Sequence, residues 1–102
     1  EEEAYLTSFA AAHNALESKD YQEAARLFAA LSTQLPPDNF NNEDLKYYQD
    51  NLDWSIVLAK IGEGKPAAEI SSRLERILSD EQHTYYREAM ALQKDLLSFW
   101  RW

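Results

Sequence analysis

Cysteine is absent from the 102 residues, glycine occurs twice, proline three times, histidine twice, and ten basic residues stand against eighteen acidic ones. Without cysteine the chain forms no disulfide, binds no metal through thiolate and has no thiol nucleophile, and its redox compartment is not encoded. The shortage of lysine and arginine leaves a net charge of −8 and a pI near 4.6. Nucleic acid is therefore not an expected partner, because phosphate binding depends on clustered cations that release counterions. An anionic membrane surface is disfavoured for the same reason, and a neutral or basic protein is the better electrostatic match. No apolar run has the length of a transmembrane span or a signal-like core, so direct membrane insertion of this segment is not expected. The sequence starts at Glu1 without methionine and reads as a trimmed piece of a longer chain, with room for an anchor upstream.

What is present is apolar and aromatic. Apolar residues make up 45% of the chain, with three Trp, six Tyr and four Phe, too many for a disordered segment. The length suits one small domain that buries about 65% of its unfolded surface. All five Gly and Pro residues fall at Pro36-Pro37 and between Gly62 and Pro66, leaving long intervals without strong breakers. No alternating strand pattern occurs in them, and the class expected is all-α.

Five helices are predicted. The first covers 4–17, with Tyr5, Phe9, Ala12 and Leu16 on one face and Ala10, Ala11 and Ala15 alongside for close contact. Ser18, Lys19 and Asp20 break the period, and Asp20 can cap a second helix whose stripe is Ala24, Leu27, Phe28, Leu31 and Leu35, stopped by Pro36-Pro37. Phe40 is expected to tuck onto the core from the polar loop 36–42. Asn41 or Asn42 then caps a third helix running to about Ile61, apolar over more than half its circumference and so packed on two sides. Gly62 and Gly64 supply the turn, and Pro66 opens a fourth helix striped by Ile70, Leu74 and Ile77, with Glu69 and Arg73 as a supportive surface pair. A final helix begins near Gln82 or Thr84 and ends in Phe99-Trp100-Arg101-Trp102.

The second and fourth helices repeat at a constant offset of 46, from Ala24 to Ile70, Phe28 to Leu74 and Leu31 to Ile77. Carried into the first and third helices, that offset pairs Ser8 with Trp54 and Ala12 with Leu58. The spacing of Ala12, Tyr21, Ala24, Phe28 and Pro36 resembles the tetratricopeptide repeat, a helix–turn–helix of about 34 residues. The second unit departs from that pattern at Leu58 and Ile70, where small residues are usual. The resemblance implies a right-handed array of antiparallel hairpins, 4–35 and 43–79 joined by the loop 36–42, closed by a capping helix at 82–101. The segments around Leu52-Asp53-Trp54 and Tyr85-Tyr86-Arg87-Glu88-Ala89 also resemble the C-terminal repeats of membrane-anchored tetratricopeptide proteins of Bacteroidetes. That likeness implies an extracytoplasmic domain behind an upstream anchor; otherwise the domain is expected to be cytoplasmic.

The resemblance implies a non-enzymatic protein-binding scaffold that receives a peptide or protein on a concave face around Leu6, Phe9, His13, Asn51 and Ser55. The positions of the family's carboxylate-clamping Lys and Asn hold Phe9, His13 and Ile56, so apolar anchors are expected in the partner. Lys46 and Lys60 read as solvated, and Trp54 as core. Phe99, Trp100 and Trp102 either fold back over the last groove or form a self-association site, which makes homodimer assembly the alternative reading. Neither histidine has a partner at metal-ligand spacing, and no metal or cofactor is expected. Asp50 with Asp53 and Asp80 with Glu81 have the closeness of hydrolase carboxylate pairs, but a solvated face or cap accounts for both. A hydrolase is the remote alternative.

Overall fold

A computed structural model describes residues 2–34 and 40–100, with side chains described for 4–34 and 40–96. Among the described residues it contains five helices and no strand: α1 (Glu2–Glu17), α2 (Tyr21–Ser32), α3 (Asn42–Gly62), α4 (Ala67–Leu78) and α5 (Tyr86–Trp100). Each helix packs against the next in sequence, which gives an elongated body of 48 × 30 × 19 Å. The shortest dimension is that of two helix diameters.

The third helix is the spine. Leu52, Ile56 and Ala59 enter a core built with Tyr5 and Ala12 of α1 and with Ala24, Phe28 and Leu31 of α2. Val57, with Trp54 beside it, enters a second core with Ile70, Leu74 and Ile77 of α4 and Ala89 of α5. The chain thus packs α3 on two sides, as its wide apolar surface predicts. Phe40 does fold back, stacked on Tyr48 at 5.0 Å and edge-on to Tyr5 at 6.1 Å.

The two hairpin turns use one device. At the end of α1, Asp20 N–H reaches Ala15 O at 2.9 Å and Lys19 N–H reaches Leu16 O at 3.1 Å, with Lys19 left-handed at φ 64°. At the end of α3, Lys65 N–H reaches Lys60 O and Gly64 N–H reaches Ile61 O, both at 3.0 Å, with Gly64 at φ 73°. Both are Schellman closures. They equate Lys19 with Gly64, an offset of 45, and so pair Ala12 with Val57, both fully buried, rather than with Leu58. The N-caps Asp20 and Pro66 stand 46 apart, as do the buried residues of α2 and α4. The second turn therefore holds one residue more, and the single offset of 46 is corrected to 45 for the first helix of each pair.

Other boundaries shift for local reasons. Helix α2 ends at Ser32, a turn earlier than its stripe suggests, where Ser32 and Thr33 hydroxyls donate to Ala29 O and Ala30 O and compete with the ladder. Leu35 and the Pro36-Pro37 stop lie outside the described residues. Pro66 is the N-cap rather than a first-turn residue, and Asn41 caps α3 by accepting from Asp44 N–H at 2.8 Å. Gly62 is needed for approach rather than for its backbone angle: a β-carbon there would fall against the ring of Tyr21. Among the described residues no helix is long and apolar enough to cross a membrane.

Candidate functional site

Two polar networks leave α3 in different directions. The first starts at Asn51, which is buried, and joins three elements. His13 Nε2 of α1 lies 2.7 Å from Asn51 Oδ1, Ser55 Oγ donates to the same oxygen at 3.1 Å, and Asn51 Nδ2 donates to Tyr85 Oη at 3.0 Å. Because that oxygen is an acceptor, His13 Nε2 carries its proton. Aromatic rings continue the line at either end. His13 lies against Phe9 at 4.7 Å, Phe9 meets Tyr48 edge-on at 4.9 Å, and Tyr85 stacks on Trp54 at 5.8 Å with 7° between planes.

Leu6, Phe9 and His13 are half-buried, whereas Asn51 and Ser55 are 8% and 2% exposed. The fold therefore brings His13, Asn51 and Ser55 into one hydrogen-bonded group with Phe9 beside it, and places the two α3 residues in its floor. Trp54 is half-buried rather than fully enclosed. Phe99, Trp100 and Trp102, the candidates for self-association, lie outside the residues whose side chains are described.

The second network centres on Asp50, and here the reading of solvated carboxylates is corrected. Asp50 is 6% exposed. Its Oδ2 accepts from Thr84 N–H and Thr84 Oγ1, both at 2.9 Å, with Lys46 Nζ at 3.2 Å. His83 Nε2 lies 3.3 Å from Asp50 Oδ1 and 3.1 Å from Asp53 Oδ2. Asp80 is a turn residue rather than a helix cap, accepting from Gln82 N–H at 2.9 Å and from Lys46 Nζ at 3.1 Å. The Gln82 amide, followed by Lys46, holds the Asp80 carboxyl below its ordinary range, and the bond to Asp80, followed by Asp50, raises the Lys46 ammonium. Lys46 is accordingly ion-paired rather than merely solvated. These bonds fold residues 79–85 into turns against α3 and delay the start of α5 to Tyr86.

Asp50, Asp53 and His83 hold ligand-type atoms within 4.8 Å of one another, a spacing a metal could use. Their hydrogen bonding does not fit one. His83 Nδ1 accepts from Tyr85 N–H at 3.0 Å, so in the neutral ring Nε2 carries the proton and donates toward both carboxylates. A metal-ligating histidine needs a lone pair on the binding nitrogen and usually donates from the other. Here a cation at Nε2 would require a ring with no proton on either nitrogen. The same occupancy leaves His83 no free lone pair for general-base work. The group is a clamp that closes the segment before α5 onto α3.

An open groove of about 490 Å3 borders this clamp, with Leu52 and Ile56 among its lining residues and Arg73 and Arg76 contributed by α4. The surface pair expected between Glu69 and Arg73 is replaced. Glu69 instead accepts from Lys60 Nζ at 2.6 Å, and that bond holds the Glu69 carboxyl below its ordinary range. Lys60, only 19% exposed along its side chain, is thereby corrected from a solvated residue to a paired one. Asp50 and Asp53 stood out in the sequence as a close pair, but nothing there links them to His83, thirty residues or more downstream. Comparison with protein-family models, curated proteins and solved structures finds no match for this chain.

Proposed function

We propose that this chain is a non-enzymatic protein-binding scaffold of the tetratricopeptide type, which receives a partner peptide or protein on the face formed by α1 and α3. The observation that carries this reading is the line of ring contacts through Phe40, Tyr48, Phe9 and His13, prolonged by the His13–Asn51–Tyr85 hydrogen bonds to Trp54. Half-buried rings of this kind offer large contact area with little side-chain freedom left to lose on binding. Leu6, Phe9 and His13 meet the partner, and Asn51 and Ser55 fix the floor beneath them.

Three further observations support the reading. Consecutive helices pack in order, the same Schellman turn closes both hairpins, and the surplus of acidic residues favours a neutral or basic polypeptide. The test is to select peptides on the folded chain from a random library and map the bound one by heteronuclear NMR. Shifts at Leu6, Phe9, His13 and Tyr48 are expected, and Phe9→Ala should weaken binding about tenfold or more while leaving the helical circular dichroism unchanged. Shifts confined to α2 and α4, with full affinity in Phe9→Ala, overturn the site.

A further inference from the structure

Arg73 and Arg76 lie one turn apart on α4 and line the groove beside the Asp50 clamp. Among the described residues neither guanidinium forms an ion pair, and Glu69, one turn before Arg73, is held by Lys60 at 2.6 Å. In the same lining, the carboxylates of Asp50 and Asp80 are filled by the bonds that fold residues 79–85. Asp53 differs. Its Oδ2 takes His83, its other oxygen has no hydrogen-bond partner among the described residues, and its side chain is 30% exposed. The groove lining therefore carries two cations outside any ion pair among the described residues and a carboxylate with spare accepting capacity.

We infer that this groove is a second interaction surface, which takes a partner segment bearing an acidic and a basic side chain about one helical turn apart. The acid lies between Arg73 and Arg76, and the base reaches Asp53. Electrostatics selects this pairing. A ligand with only negative charge meets the carboxylates of Asp50, Asp53 and Asp80, and one with only positive charge meets Arg73 and Arg76. A segment carrying both signs can set each charge against its opposite. Gln49, Arg76 and Ser32 at the rim are exposed, so the groove cannot enclose most of a small zwitterion as a small-molecule site does. A polypeptide brings the additional contact area. The inference rests on the protein-binding reading for the class of partner, but the groove includes none of Leu6, Phe9, His13, Asn51 or Ser55.

The experiment is NMR shift mapping on the whole chain with short peptides blocked at both ends, at millimolar concentration. One peptide carries Glu and Lys a turn apart, a second carries two Glu and a third two Lys; free glycine is the small zwitterion. The mixed peptide is expected to move the amides of Asp53, Ile56, Arg73 and Arg76 and to bind about 3- to 5-fold more tightly than either single-sign peptide, the range of an exposed charge pair. Arg73→Gln combined with Arg76→Gln should abolish that preference without changing the circular dichroism. Equal or tighter binding of the acidic or basic peptide, glycine binding as well as the mixed peptide, or no shift in the groove overturns the inference. Shifts at Phe9 and Tyr48 without any in the groove overturn the groove alone and leave the aromatic face standing.

Discussion

Truncating Asp50 should detach the segment before α5 from α3. The carboxylate is 8% exposed and gathers Thr84 N–H and Thr84 Oγ1 at 2.9 Å, Lys46 Nζ at 3.2 Å and His83 Nε2 at 3.3 Å. Hydrogen bonds to a charged acceptor contribute about 1.5–3 kcal/mol each, and removing one partner of a buried charged group costs about 3–5 kcal/mol. Thr84 is exposed and can turn to water, and His83 keeps Asp53, so the lower end applies. Asp50→Ala is therefore expected to lose about 3 kcal/mol, a large share of the ~5–15 kcal/mol total stability of such a domain. The thermal midpoint should fall by about 12–20 °C. Asp50→Asn keeps an acceptor for Thr84 and should lose about half as much. Lys46→Ala should cost less than about 1 kcal/mol, because its ammonium stem is 45% exposed and screened. Urea unfolding followed by circular dichroism measures all three. A loss below about 1 kcal/mol for Asp50→Ala, or an equal loss for Lys46→Ala, refutes the assignment of Asp50 as the tie.

Gly62→Ala should destabilise by about 1–3 kcal/mol, because its β-carbon displaces the Tyr21 ring. In a Tyr21→Ala background the same change should become neutral or favourable, since alanine is the better helix former; a cost that persists in the double variant rules out the contact. At the left-handed turn positions, Lys19→Gly should gain and Gly64→Ala should lose about 1 kcal/mol. The added methyl of Gly64→Ala meets no atom within 4 Å, so any loss there comes from the backbone alone. Chemical unfolding of both variants checks the signs. The lowered carboxyls of Asp80, Glu23 and Glu69 contribute stability that is present above the ordinary carboxylate range and lost as pH falls through their folded values, below that range. Asp80→Asn should flatten that acid limb. Burial, with Tyr48 nearby, raises the Tyr5 hydroxyl, so its contribution is present below about pH 10 and lost as pH rises through the folded value. An alkaline limb that survives unchanged in Tyr5→Phe contradicts this.

The sequence by itself determined the helices, because their signals are local. The apolar stripe of α2 and α4, Asp20 as one cap and Asn41 or Asn42 as another, Gly64 in the second turn and the two-sided surface of α3 all depend on residues within a few positions of one another. His13, Asn51 and Ser55 could be picked as neighbours from the period and the resemblance, but their exposure could not. Only tertiary structure set Asn51 and Ser55 into the floor, where a hydrogen-bonded polar group can be buried without large loss. Only tertiary structure joined Asp50 to Thr84 and His83, moved the start of α5, gave Glu69 to Lys60 and set Gly62 against Tyr21. Each of these is a choice among partners distant in sequence. Helical period tells which face a side chain occupies, whereas its partner depends on which other helix arrives there and how closely. The Leu16 to Asp20 turn shows the boundary between the two. Its break was legible in Ser18-Lys19-Asp20, but the left-handed lysine that carries it is held by two backbone bonds that a residue-by-residue reading does not contain.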